Sequence, residues 1–168
     1  ARPRREQAMR EVFQSELQEV QERLVEISQS VAIIIEKATK AFLTNDVTQA
    51  DEALALSESN EEQALALDEL VIRILARQSP VARDLRVLVS ALRISASLER
   101  MGALASHIAS IARYRFPGSA VPDALRKTFE EMGALDIQLA HKLTEVLKNA
   151  DVDLARACLL YTSPSPRD

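Results

Sequence analysis

Two carboxylates in this chain have no local partner. Glu99 has Ser95, Ala96, Gly102 and Ala103 one helical turn away, and Asp68 has Ala64, Leu65, Val71 and Ile72. Neither can make an i,i+4 ion pair. An acid among small and apolar neighbours is costly to bury unless something neutralises or coordinates it. An arginine from another helix is one answer, with Arg86, Arg93 and Arg100 available. A solvated helix edge is a second. A metal ion bridging carboxylates, as in di-metal helix bundles, is a third. The spacing alone favours the ion pair or the solvated edge. His107 and His141 stand alone, without His or Cys at metal-ligand spacing. The acidic stretch "ESNEEQALALDE" reads as a solvated helix face. No glycine loop could cradle phosphates, and no nucleophile stands in a motif with its base, so nothing nominates an enzyme. Arg83, Asp84 and Arg86 crowd one short stretch, "ARDLR". They read equally well as a polar network for a partner or as the charged first turn of a helix.

The elements that must position these residues are helices. Of 168 residues, 47% are hydrophobic, mostly Leu, Ala, Val and Ile, with only three glycines. Helix one is predicted from Arg10 to Leu43, with a seam of Phe13, Leu17, Val20, Leu24, Ile27, Val31, Ile34, Ala38 and Ala41. Alternating steps of four and three mark a long helix in a bundle. "LTNDV" stops it, with Asn45 and Asp46 supplying turn and cap chemistry. Helix two is predicted over Val47–Arg77 and is acidic. "RQSPV" follows, where Ser79 can cap and Pro80 can open the next helix. Helix three is predicted over Val81–Arg115 and is basic, with a seam from Val87 through Ala91, Ile94, Leu98, Met101, Ala105 and Ile108 to Ala112. Short turns make the three an antiparallel bundle, pairing an acidic helix with a basic one. Gly102 inside a helix costs about 1 kcal/mol against alanine, which fits close packing against another helix and a plain tolerated glycine equally well.

"FPGSAVPD" breaks the pattern, and helix four is predicted over 123–149 with Phe129, Met132, Leu135, Leu139, Leu143, Val146 and Leu147 as its apolar residues. "KNADVDLARA" then echoes "LTNDVTQADEAL", which suggests a second copy of the bundle. The expected fold is all-α: residues 1–8 a disordered or non-native arm, 9–116 a three-helix bundle, 117–122 a linker, and 123–157 the start of a repeated bundle. Residues 158–168, "CLLYTSPSPRD", resemble a translated sequencing adapter and are expected to be a foreign tail on a truncated chain. Such a piece would expose the apolar face of helix four and self-associate. The net charge of -4 does not suggest a nucleic-acid binder. No apolar run approaches the ~20 residues that span a bilayer. The single cysteine, Cys158, rules out an internal disulfide framework. A cytoplasmic protein is expected.

The pieces "DELVIRILARQSP", "ARDLR", "LERMG" and "HIA", in that order, resemble the PhoU family of phosphate-uptake regulators. The resemblance covers Phe13–Arg115, with a second match opening at Pro122. It implies two similar three-helix bundles, a cytoplasmic and often dimeric protein, and peripheral membrane association through partners only. Those partners would be the ATPase subunit of a phosphate ABC transporter and a phosphate-sensing histidine kinase, with no nucleic acid. The implied action is by binding: an adaptor that keeps the phosphate-starvation response off. A helical-bundle metal-binding or storage protein is the alternative. Family members pair two acids four positions apart to hold iron, zinc or other cations. Here Glu99 is followed by Ala103, and Asp68 is preceded by Ala64, so each pair lacks one acid. Asp68 and Glu99, with Glu61 or Glu58 in support, are the remnants. No cofactor is required on this reading, and at most a divalent or ferric cation is held weakly. Arg83, Asp84, Arg86 and Arg100 are the candidates for partner binding or for a structural network.

Overall fold

In a computed structural model, the described residues are 2–149, and they contain four α-helices and no strand. These are α1 (Arg2–Thr44), α2 (Val47–Arg77), α3 (Ala82–Arg115) and α4 (Arg126–Asn149), with a 3-10 turn at Asp123–Leu125 before α4. The predicted end of the repeat, the predicted tail and Cys158 lie outside the described residues.

Helix α1 starts eight residues before Arg10, the start expected from the sequence. The stretch "REQAMRE" consists of good helix formers, and Pro3 sits in the first turn, where its missing N–H costs nothing. The residues expected to form an arm are therefore helical from Arg2. The α1–α2 turn follows the sequence closely. Asn45 takes positive φ (56°), which asparagine tolerates, and Asp46 caps α2 by accepting from the Gln49 N–H at 3.1 Å. The α2–α3 turn does not. Val81, extended at φ −65° and ψ 160°, is the N-cap of α3 and offers no side-chain hydrogen bond. Ser79 and Pro80 stay outside the helix, so the expected serine cap is absent.

Helices α1, α2 and α3 pack on one another. Every seam residue of α1 from Phe13 to Ala41 is buried except half-buried Leu17. They meet Leu67, Leu70, Val71 and Ile74 of α2 and Leu88, Ala91, Ile94 and Leu98 of α3 in one core. A second, alanine-rich core toward the α1–α2 turn joins Ala38, Ala41, Ala50, Ala53, Ala105 and Ala109. Small residues there let the helices approach closely. On α3, Met101 is half-buried and Ile108 is 40% exposed, so two seam positions lie at the edge.

Helix α4 packs along α1. Its buried residues are Gly133, Ala140, Thr144 and Leu147, with Leu143 and Val146 half-buried against the core. Met132, Leu135 and Leu139 point outward. A Cβ on Gly133 would come within 2.5 Å of Thr39 Cγ2, so the helices touch there almost backbone to side chain. The hydroxyls of Ser28 and Thr144 share a buried hydrogen bond of 3.1 Å. Phe42 and Phe129 stack edge to face at 5.4 Å. Arg126 Nη1 donates to the Leu43 carbonyl at 2.6 Å, placing a cation on the C-terminal turn of α1.

Candidate functional site

The two solitary acids lie on the seam between α2 and α3. Their level is set by Gly102, where a Cβ would stand 3.0 Å from Asn60 Nδ2 and 3.7 Å from Val31 Cγ2. The glycine is thus a close-packing residue, the first of the two readings its position inside a helix allows. It places Asn60 of α2 beside Gly102 of α3, in helices that the short α2–α3 turn makes antiparallel. Asn60 is 1% exposed, and its carboxamide oxygen has no hydrogen-bond partner among the described residues.

Glu99, one turn from Gly102, is half-buried and makes no ion pair among the described residues. Asp68 is also half-buried and unpaired, and desolvation by burial raises its carboxyl above the ordinary aspartate value. Glu58 and Glu61 are exposed. Among the described residues, no three His, Cys, Asp or Glu side chains gather closely enough to hold a metal ion. The donor set present does not fit the family's cation cluster, because Ala64 and Ala103 stand where the second acids would be. Arg86, Arg93 and Arg100 do not reach across to Glu99 either. The acids lie at the solvated edge.

The expected charge pairing of α2 with α3 is confined, among the described residues, to Arg113 Nε and Asp51 at 3.1 Å, both more than half exposed. Lys37 of α1 pairs with Glu52, and His141 of α4 pairs with Glu36 of α1. His107 is exposed. Arg86, Arg93 and Arg100 recur every seven residues on α3, all exposed and without acids one turn away. The interval of seven keeps them on one outward face, opposite the row of Leu88, Ala91, Ile94 and Leu98. Arg83 is exposed, and Asp84 is half-buried in the first turn of α3, where a negative charge suits the helix dipole. Both line an open cleft of about 1100 Å³ between α3 and the first half of α1, beside Arg10 and Gln14. Arg83, Asp84 and Arg86 therefore cluster at one end of the bundle, and Arg100 lies four turns away along the Arg86 row.

Sequence reasoning missed a second concavity. Ile35 and Thr39 of α1 form the floor of an apolar groove of about 250 Å³, walled by Leu104 and Ile108 of α3 and Leu139 of α4. The signal was present in the apolar i,i+4 pair of Leu104, one position off the α3 seam, and Ile108, a seam residue at its edge. What the chain presents is a set of surfaces: a basic helix face, a polar cleft and an apolar groove.

A PhoU domain model matches residues 24–112. The phosphate-specific transport system accessory protein PhoU homolog 2 of Mycobacterium tuberculosis is 37% identical over 147 residues, covering 88% of this chain and 69% of that protein. The PhoU of Escherichia coli, also a phosphate-specific transport system accessory protein, is 27% identical over 143 residues, covering 85% and 58%. The crystal structure of PhoU from Pseudomonas aeruginosa superposes with a TM-score of 0.74 at 25% identity, over 89% of this chain and 71% of that one.

Proposed function

Because this chain belongs to the PhoU family, we propose that it is an accessory regulator of phosphate transport that works by binding rather than by turnover. It serves as an adaptor between the ATPase subunit of a phosphate ABC transporter and a phosphate-sensing histidine kinase, and keeps the starvation response off while phosphate is plentiful. Its place is the cytoplasm, with membrane contact only through partners. Among the described residues no helix is long and apolar enough to cross a membrane. The observation that carries this reading is the family match over the α1–α3 bundle, the part that displays Arg83, Asp84, Arg86 and Arg100. A binding role also agrees with a surface rich in exposed charge and poor in catalytic geometry. A metal-storage role would need a donor cluster that the described residues do not form.

The test is deletion of the gene in its own host, followed by a starvation-promoter reporter in phosphate-replete medium. The proposal expects the reporter to switch on and the intact gene to switch it off again. A reporter that stays repressed without the gene would overturn the reading.

A further inference from the structure

Helix α3 repeats one arrangement of side chains. Ser90 has Arg86 four positions before it and Arg93 three positions after it. Ser97 has Arg93 four before it and Arg100 three after it. Each interval is one helical turn, so each hydroxyl lies between two guanidiniums on one face. Arg86, Arg93, Ser97 and Arg100 are exposed, and Ser90 is half-buried. Among the described residues none of the five makes an ion pair or a side-chain hydrogen bond. The hydroxyls of Ser28, Thr44 and Thr144 return to a backbone carbonyl of their own helix. Those of Ser90 and Ser97 do not, so they are free to donate outward.

The row is a line of donors without a charged acceptor. Glu99 is the sole acid of α3 after Asp84, and it lies on the α2–α3 seam instead. The helix rises ~1.5 Å per residue, which spaces the arginines about 10 Å apart and makes the row about 21 Å long. Each guanidinium is a planar fork that matches two oxygens of a phosphoryl group. A single orthophosphate meets one arginine–serine–arginine set, and on an exposed face such a contact is weak. A linear chain of phosphoryl groups meets all three forks, and every contact after the first is intramolecular. Nucleic-acid bases would find no platform, because α3 has no aromatic residue before Tyr114. Lipid is disfavoured as well. The residues flanking the row are Val89, Ser90, Ala96 and Ser97, a poor apolar face for insertion.

We propose that the outward row of α3 is a binding site for a linear inorganic polyphosphate. Arg86, Arg93 and Arg100 hold its non-bridging oxygens, and Ser90 and Ser97 donate to the oxygens between them. Helix α4 packs on α1 and leaves the row open. The site goes beyond the adaptor reading and does not depend on it, since it stands on the spacing and exposure of five residues.

The experiment is fluorescence anisotropy of end-labelled long-chain polyphosphate, titrated with the full chain at several salt concentrations. For the wild type, log K is expected to fall with log salt at a slope of about −2, roughly 0.7 for each arginine on a flexible polyanion. Arg93→Gln/Arg100→Gln should bring the slope to about −0.7 and lower the affinity at least tenfold at low salt. Arg4→Gln/Arg5→Gln removes the same charge from the exposed start of α1 and should change neither quantity. Ser90→Ala/Ser97→Ala should weaken binding by about tenfold and keep the slope, because a hydroxyl displaces no counterion. Circular dichroism checks that each variant keeps its helices. Absence of binding by the wild type overturns the proposal, and so does equal loss in the two arginine variants. A serine variant that binds like the wild type overturns it too, since charge alone would then be read. Equally tight binding of poly-glutamate or single-stranded DNA of matched charge would mark a general polyanion face. Orthophosphate that competes as well per phosphate as the polymer would mark a single-ion site. Either result sinks the linear polyphosphate. Phosphate regulation is read separately by the reporter, so this site can fail while the family function stands.

Discussion

Asp68 shows how a residue read from its neighbours acquires a physical consequence. Its lack of a partner was legible in the sequence, and so was that of Glu99, because helical neighbours follow from spacing alone. What answers them was not legible, since that depends on which side chains α2 and α3 bring across the bundle. Among the described residues no side chain pairs with them, and burial lifts the Asp68 carboxyl above the ordinary aspartate value. A folded-state value above the unfolded one means that ionisation opposes folding. The cost is fully present above the folded value and disappears as the pH falls below the ordinary one. Asp68→Asn should therefore raise the melting temperature at neutral pH, by a margin that shrinks toward nothing near pH ~4. Thermal melts of both proteins across that range check it. An unchanged melting temperature at pH 7 would mean that solvent at the helix edge satisfies the carboxylate. Gly102 was legible in part, as a cost inside a helix that close packing could explain. Its neighbour Asn60 was not, because one buried amide in an otherwise acidic stretch leaves no mark on the helical pattern.

At the scale of elements, the legible helices were those whose buried stripe is made of large residues. The seams of α1 and α3 alternate steps of four and three, and that period survives in the packing, with misses only at the edge. Helix α4 has the same period but buries its small residues. Gly133 and Ala140 face α1 and the larger Met132, Leu135 and Leu139 do not, so in that stretch counting apolar residues selects the wrong face, whereas Leu143, Val146 and Leu147 pack against the core where the apolar period puts them. The contact is one of close approach, and it hinges on Gly133 against Thr39. Gly133→Ala would gain about 1 kcal/mol of helix propensity. It would also force a methyl to within 2.5 Å of Thr39 Cγ2, and overpacking of this kind typically costs ~1–3 kcal/mol. The single substitution should lower the melting temperature by about 2–4 °C for a domain of this size. Thr39→Ala removes the obstructing methyl, so the double variant should recover the loss and exceed the sum of the two singles. Additive effects would show that α4 shifts along α1 instead of packing in one register. The Arg126 cap on α1 belongs to the same contact and was likewise invisible, since it joins a side chain to a carbonyl 83 positions away.

For the whole molecule, the informative quantity is the separation of its charges. The sequence already shows an acidic α2 and a basic α3, and the natural inference is that they neutralise each other inside the bundle. Packing geometry prevents that. The seam between the helices is filled by Asn60, Gly102 and apolar residues, so most of the acids and bases are turned outward, where water solvates them and salt screens the attraction between the two helices.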